Sequence, residues 1–383
     1  MMKISRMMQT LLISFLTALL LSGCSHDKLE LPVIPPGDEQ FKGLDDAEYV
    51  LLSPILDASN GYSFRQPSDV YFGADNFLYV ADTGNDRIVM LDAGGAVQGI
   101  SGYLPHPEAI TQNDSLQLLI VNNSNVVYRI DLFKYAHDIA AASIDTVFHF
   151  ASEPTRQFTG ISVHNRFEYY VTAIDVADSS TNFREFNFIY DFTGRHTLKG
   201  PLPLNVNGSG LYSAILPTSV LSLRERWLDI SVSNEDTPAF YFTQIGRTSL
   251  LENNFPFQHV TTVIVEGDEM LTPNISYVGT DLYGFGKFRN AEDAAVDRSG
   301  FIFVLDGGRA LSDPDTTHPA PGFYRFSSTS GKQLQTVTGL GSGILQFNHP
   351  RGIAVLPDVE GQIVYVADTG NNRIMMFQLS TDL

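Results

Sequence analysis

The sequence predicts an all-β chain built from repeated antiparallel units, and three observations carry that prediction. From Tyr49 onward, short runs of β-branched and aromatic residues are broken by Gly, Asn, Asp and Pro. One phrase occurs near both ends, as Tyr79–Ile88 (YVADTGNDRI) and Tyr365–Ile374 (YVADTGNNRI). Composition agrees, since 43% hydrophobic and 17% charged residues suit a globular chain with a core, and Phe and Tyr are plentiful where Trp is single. The 383 residues fit either two or three average domains or one large all-β unit, so the repeats decide the class.

In chain order, the first element is a targeting segment. Lys3 and Arg6 precede an uncharged apolar run, Leu11–Leu21, which is too short to span a bilayer comfortably and has the flanks of a secretory signal. The run closes on Leu21-Ser22-Gly23-Cys24, and Cys24 is the single cysteine of the chain, which excludes an internal disulfide framework. These residues resemble the lipobox of bacterial lipoproteins. The resemblance implies that residues 1–23 are a signal peptide cut before Cys24, whose thiol then carries diacylglycerol. It further implies a lipid-anchored place in the bacterial cell envelope, and Ser25 rather than Asp points to the outer membrane. Several acyl chains anchor stably where one binds marginally, so the membrane is expected to be met through the lipid.

Residues 24–44 are polar, with Pro32, Pro35, Pro36 and Gly37 and no sustained period, and read as a flexible tether to a domain over 45–383. The net charge is −19, and losing Lys3 and Arg6 with the signal makes the mature chain more acidic still. Such a surface repels phosphate backbones, so no nucleic-acid partner is expected.

The repeated unit is explicit in the twin copies. Each runs Phe-x-x-Pro (Phe64–Pro67, Phe347–Pro350), a strand, a turn, a second strand ending in Ala-Asp, a Thr-Gly-Asn turn, and a third strand opened by Arg-Ile. Weaker copies lie between them: Pro107–Ile110 with Leu118–Asn123, Phe158–Ile161 with Tyr169–Thr172, Pro217–Val220 with Trp227–Ile230, and Asn290–Ala294 with Phe301–Asp306. The twin pattern resembles the NHL repeat, whose units each build a four-stranded blade of a β-propeller. That resemblance implies six four-stranded blades. Seven is the alternative, because Gly246–Lys287 is long enough to conceal part of another.

A ring of blades must close without an open sheet edge, and only four residues follow Leu379. Tyr49–Leu52 is therefore expected to supply the fourth strand of the last blade. One stretch, Asp131–Ala142, reads as helical.

Within the twins, Asp82 and Asp368 end a strand and Arg87 and Arg373 open the next, a spacing that lets carboxylate and guanidinium meet across the hairpin while Asp takes turn amides. These four resemble the NHL framework and are read as structural. The first strand of a propeller blade lines the central channel. Aligning the units puts Ser68, Glu108, Thr159, Thr218, Glu292 and Arg351 at one candidate channel-binding position, followed by Asp69, Ala109, Gly160, Ser219, Asp293 and Gly352. With six blades, Glu108 and Glu292 would face each other across the axis, with Arg351 beside Glu292. A small polar or cationic ligand, or a hard cation, is one reading of that cluster, and idle charges in a water-filled channel is the other.

Peptide-amidating lyases that resemble NHL propellers bind zinc through His at this position, where no blade here has one. His106 and His349 fall two residues earlier, beside Pro, so that activity is disfavoured. Six-bladed lactonases that resemble this architecture hold calcium or zinc with acidic and amide ligands; Glu108 and Glu292 could begin such a set, but the remaining ligands are missing. Asp313-Pro314-Asp315 sits in the Pro- and Gly-rich insertion Ala310–Gly322 and reads as a surface loop. No nucleophile elbow, P-loop or dinucleotide fingerprint occurs. The expected function is a non-catalytic binding or scaffolding module for a protein or glycan, using loops such as Asp175–Phe186 and Ala310–Gly322, with no metal or cofactor. The alternative is a propeller enzyme, lactonase- or lyase-like, with a metal in the channel.

Overall fold

The structure, a computed structural model, describes residues 47–176, 188–202, 216–223, 240–245, 255–265, 268–356 and 362–383, with backbone alone for 262–265 and 268–270. The expectations for residues 1–44, for Trp227–Ile230 and for most of the Asp175–Phe186 loop fall outside them. Asp45–Leu383 is a compact unit by itself.

Six antiparallel four-stranded sheets make up this unit, and no further sheet is present among the described residues. Blade one is Asp69–Phe72, Leu78–Asp82, Arg87–Leu91 and Val97–Ile100, and blade two is Ala109–Gln112, Gln117–Val121, Val126–Asp131 and Ile144–His149. Blade three follows as Arg156–His164, Glu168–Asp175, Phe188–Phe192 and Leu198–Pro201, and blade four as Pro217–Ser222, Phe240–Gln244, Phe257–Val265 and Asp268–Pro273. Blade five is Ala291–Val296, Ile302–Asp306, Gly322–Phe326 and Gln333–Thr338, and blade six begins with Gly352–Val355, Ile363–Asp368 and Arg373–Leu379. The first strands touch one another in a closed ring, blade six against blade one.

Each sheet is packed on both faces by its neighbours, which explains why second strands such as Leu78–Asp82 and Ile302–Asp306 are buried at every residue rather than alternately. Between blades one and two, Tyr79, Ile88, Leu118 and Ile130 share one core; between five and six, Phe303, Phe323, Val366 and Phe377 share another.

The ring closes as expected. Tyr49–Leu51 pairs antiparallel with Arg373–Leu379, Tyr49 opposite Leu379 and Leu51 opposite Phe377, and becomes the outer strand of blade six. The Leu52 amide adds a bond to the Met376 carbonyl at 2.8 Å, and Leu56 exchanges two bonds with Ile374. Tyr49 anchors the clasp by packing edge-on against Phe303 and Phe323 of blade five.

Two expectations are corrected. Residues 132–142 are a string of turns and not a helix, with Ala136 and His137 in the left-handed region at φ 48° and 63°. The apolar spacing that suggested a helix serves another purpose, because Leu132, Ile139 and Ala142 are buried in the core between blades one and two. In blade four, the second strand is Phe240–Gln244, paired with Pro217–Ser222. The described part of Gly246–Lys287 supplies the third and fourth strands of that blade, and no strand of a seventh is present among the described residues.

The twin phrase is a joint between blades. Asp82 accepts the Arg87 Nε at 2.7 Å and Asp368 accepts the Arg373 Nε at 2.7 Å. The turn amide each carboxylate takes is the side-chain amide of the turn Asn, Asn85 or Asn371, at 2.8 Å, and each also reaches back to the Phe-x-x-Pro segment, accepting the backbone amides of Arg65 at 2.7 Å and Asn348 at 2.8 Å. The Gly84 and Gly370 amides donate to the carbonyls of those same residues at 2.8 Å. A Cβ on either glycine would lie 2.7 Å or less from that carbonyl oxygen, so the turn needs Gly there. The threonines between reach onward, Thr83 Oγ1 to the Pro107 carbonyl of blade two at 2.6 Å and Thr369 Oγ1 to the Pro67 carbonyl of blade one at 2.7 Å.

Candidate functional site

The six first strands enclose a central cavity of about 430 Å³. All six aligned positions line it, yet they divide into two kinds. Ser68 donates to the Glu108 carbonyl of the next blade at 2.9 Å, Thr159 to the Pro217 carbonyl at 2.8 Å and Thr218 to the Ala291 carbonyl at 2.8 Å. These three hydroxyls staple each blade to the one that follows.

The other three are charged. Arg351 is ion-paired with Glu108, which is buried. The pair joins blades six and two, and Ser68 of the intervening blade one has its hydroxyl turned toward the Pro107 and Glu108 carbonyls. Arg351 also stands near enough to Glu292, as expected beside it, for each charge to act on the other, but its ion pair is with Glu108. Burial alone would lower the Arg351 pKa, but Glu108 and then Glu292 outweigh it and hold the guanidinium charged. Within the pair Glu108 is withdrawn from solvent while the Arg351 side chain is 31% exposed.

Glu292 lines the same cavity, whose wall mixes polar residues such as Thr111 and Gln157 with apolar ones such as Leu216 and Ile245. Burial pushes its carboxyl up to about 7 against the opposing pull of Arg351, and the nearby acids Asp306, Glu108 and Asp293 add to the rise. No hydrogen bond contributes to its state.

One residue further along, Asp69 and Asp293 are acids whose roles the sequence did not disclose. Asp69 accepts the Ile110 amide of blade two at 2.7 Å, and Asp293 accepts the Ile353 amide of blade six at 2.9 Å. Gly352 opens the first strand of blade six, and a Cβ there would stand 2.5 Å from the Asp69 Cα of blade one; its lack of a side chain lets blade one close against blade six. Burial raises both carboxyls, and the charge of Asp293 raises Asp69 further.

A lactonase-like metal does not fit this donor set. The Arg351 guanidinium already supplies the positive charge beside Glu108, and the oxygens of Asp69 and Asp293 are engaged by backbone amides. Among the described residues, no three His, Cys, Asp or Glu side chains gather as metal ligands. Elsewhere, Asp313 and Asp315 contact opposite nitrogens of His318, at 2.8 and 3.6 Å, an internal tie of the surface loop.

The position before each blade's Pro explains His106 and His349. Gln66, His106 and His349 all hold left-handed backbone, at φ 48°, 44° and 50°. The Gln66 and His106 amides are clamped by Asn372 and Asp86 of the preceding blade, each at 2.8 Å.

Six four-stranded blades around a channel, closed by a strand from the other end of the chain, define a six-bladed β-propeller. No protein-family model matches the sequence, and no curated protein matches it. Solved structures do. A luciferin-regenerating enzyme is similar with TM-score 0.54 at 8% identity, over 86% of this chain and 95% of that one. Regucalcin, a calcium-binding protein of Agrobacterium tumefaciens, is similar with TM-score 0.53 at 12% identity, over 86% and 95%. A gluconolactonase of Xanthomonas campestris is similar with TM-score 0.52 at 11% identity, over 87% and 95%. At such identities the likeness establishes the fold alone.

Proposed function

We propose that this chain is a non-catalytic binding propeller of the bacterial cell envelope, NHL-like in its repeats, tethered through lipid on Cys24 and receiving its ligand at the channel mouth. One observation carries the reading: Glu108, Glu292 and Arg351, from three separate blades, converge on the cavity, while the other aligned positions are engaged in joining blades. A cavity of about 430 Å³ takes a small molecule, or one projecting group of the protein or glycan partner expected from the sequence.

Native mass spectrometry of protein purified from its own envelope tests this. A bound species present on the wild type and lost from Arg351→Met supports it; equal retention on both proteins overturns the channel as the site. The tether is tested by Cys24→Ser, which is expected to leave the membrane fraction. Unchanged fractionation would contradict the lipid.

A second reading, an enzyme, has one observation in its favour. A carboxyl near neutrality facing a cavity suits proton transfer. Turnover of gluconolactone by the wild type, abolished in Glu292→Gln, would decide for it.

A further inference from the structure

We infer that the ligand of the channel mouth is an organic cation, a primary ammonium joined to an apolar body, with Glu292 as its counter-charge. The inference deepens the binding reading and rests on it.

The argument begins with charge. Four acids, Asp69, Glu108, Glu292 and Asp293, meet one cation, Arg351, in the lining of one cavity. Their needs are met unequally. Glu108 has Arg351, and Asp69 and Asp293 have two backbone amides each. Among the described residues Glu292 has no hydrogen-bond partner, and desolvation opposes its charge. A half-buried carboxylate without a donor lacks an N–H group, which an ammonium supplies three times over.

Other ligand classes fit less well. An anion would have to compete with Glu108 for Arg351 and approach three further acids. A bare metal ion would find a single carboxylate not engaged elsewhere. His349 at the same mouth does not provide the missing charge, because burial and then Arg351 hold its pKa down. The walls complete the description. Ile174, Leu216, Leu221 and Ile245, lining residues that are only partly buried, offer apolar surface to a hydrocarbon body, as in pockets that fix orientation with a few polar groups.

Proton linkage follows. Near neutral pH Glu292 is partly protonated, with Arg351, Asp306, Glu108 and Asp293 as the charged groups facing it, and a bound cation favours the ionised form. Binding therefore releases a proton and tightens as pH rises from about 6 to about 8, by up to about tenfold for one group.

The experiment is calorimetric titration of the full-length chain in detergent with three probes of one shape: phenethylammonium, phenethyl alcohol and phenylpropionate. Expected is binding of the ammonium, at least about tenfold tighter than of the alcohol or carboxylate, with the pH dependence just given. Glu292→Gln should weaken it about tenfold and flatten that dependence. Equal or tighter binding of the alcohol or carboxylate overturns the cation and leaves the binding site standing. No binding of any probe overturns both. These comparisons use the wild type, so they stand even if the variant fails to fold.

Discussion

Blades one and six use the same four-stranded sheet as blades three and four, but different chemistry holds the hairpin at its end. First- and second-strand register places one equivalent residue at the close of each second strand: Asp82, Asn122, Ala173, Gln244, Asp306 and Asp368 in blades one to six. In blades one and six that residue is a buried carboxylate paired with Arg. In blade three it is Ala173, and opposite it stands Phe188, whose ring packs against Tyr190 at 5.5 Å and lies under the Arg156 guanidinium at 4.8 Å. Blade five lies between these extremes. Gly322 stands opposite Asp306 where Arg would be, and the carboxylate takes the amides of Arg289, Asn290 and Gly308 instead. The difference teaches that the position must organise the loop before the blade, by whichever donors are near, and that it need not carry function.

The largest effect expected from breaking this comparison is at Asp368. Arg373 is 7% exposed, and Asp368→Ala would leave it buried and unpaired, a loss of about 3–5 kcal/mol in urea denaturation. Arg87 is 24% exposed, so Asp82→Ala should lose less, about 1–3 kcal/mol. Equal losses would mean that burial of the arginine does not set the difference.

Next in size is the pH dependence of stability through Glu292. Its folded pKa, about 7, lies above the ordinary glutamate value of 4.5, so the folded state holds the extra proton between them. The stability it contributes is present below the lower value and is lost as pH rises through the upper one. Glu292→Gln should therefore be more stable than the wild type at about pH 8, by about 1–3 kcal/mol, with no advantage near pH 4. Thermal unfolding at the two pH values checks this, and an advantage confined to acid would contradict it.

The smallest effect is at the clasp. The Tyr49 hydroxyl is buried without a hydrogen-bond partner among the described residues. Tyr49→Phe should change stability by no more than about 1 kcal/mol, and not downward. A larger loss would reveal a partner for that hydroxyl.

Much of this architecture was legible because turn chemistry is local. The Thr-Gly-Asn turn and the Asp-Arg hairpin announce themselves in sequence, as does the need for Tyr49–Leu52 at the sheet edge. Blade four was misread because a long connection separates its first two strands, so the apolar run Trp227–Ile230 took the place of Phe240–Gln244. Asp306 is not marked in sequence as a framework acid because Gly322 stands opposite it, in the place the twin hairpins give to arginine. At the site, aligning blades brought the six positions together, but not their partners. Arg351 chooses Glu108 over Glu292 for its ion pair, and the hydroxyls of Ser68, Thr159 and Thr218 are drawn to carbonyls of the next blade. Those choices depend on distances between blades, which no single repeat encodes.

The division of the aligned positions into staples and site is tested most directly by two readouts on Ser68→Ala, Thr218→Val and Glu292→Gln. Unfolding midpoints and phenethylammonium titrations, measured side by side, should separate them. The hydroxyl variants are predicted to lower the midpoint, by about 1 kcal/mol of stability each, with affinity retained, and Glu292→Gln to lower affinity without lowering the midpoint at about pH 8. Loss of binding in Ser68→Ala or Thr218→Val at an unchanged midpoint would contradict the account.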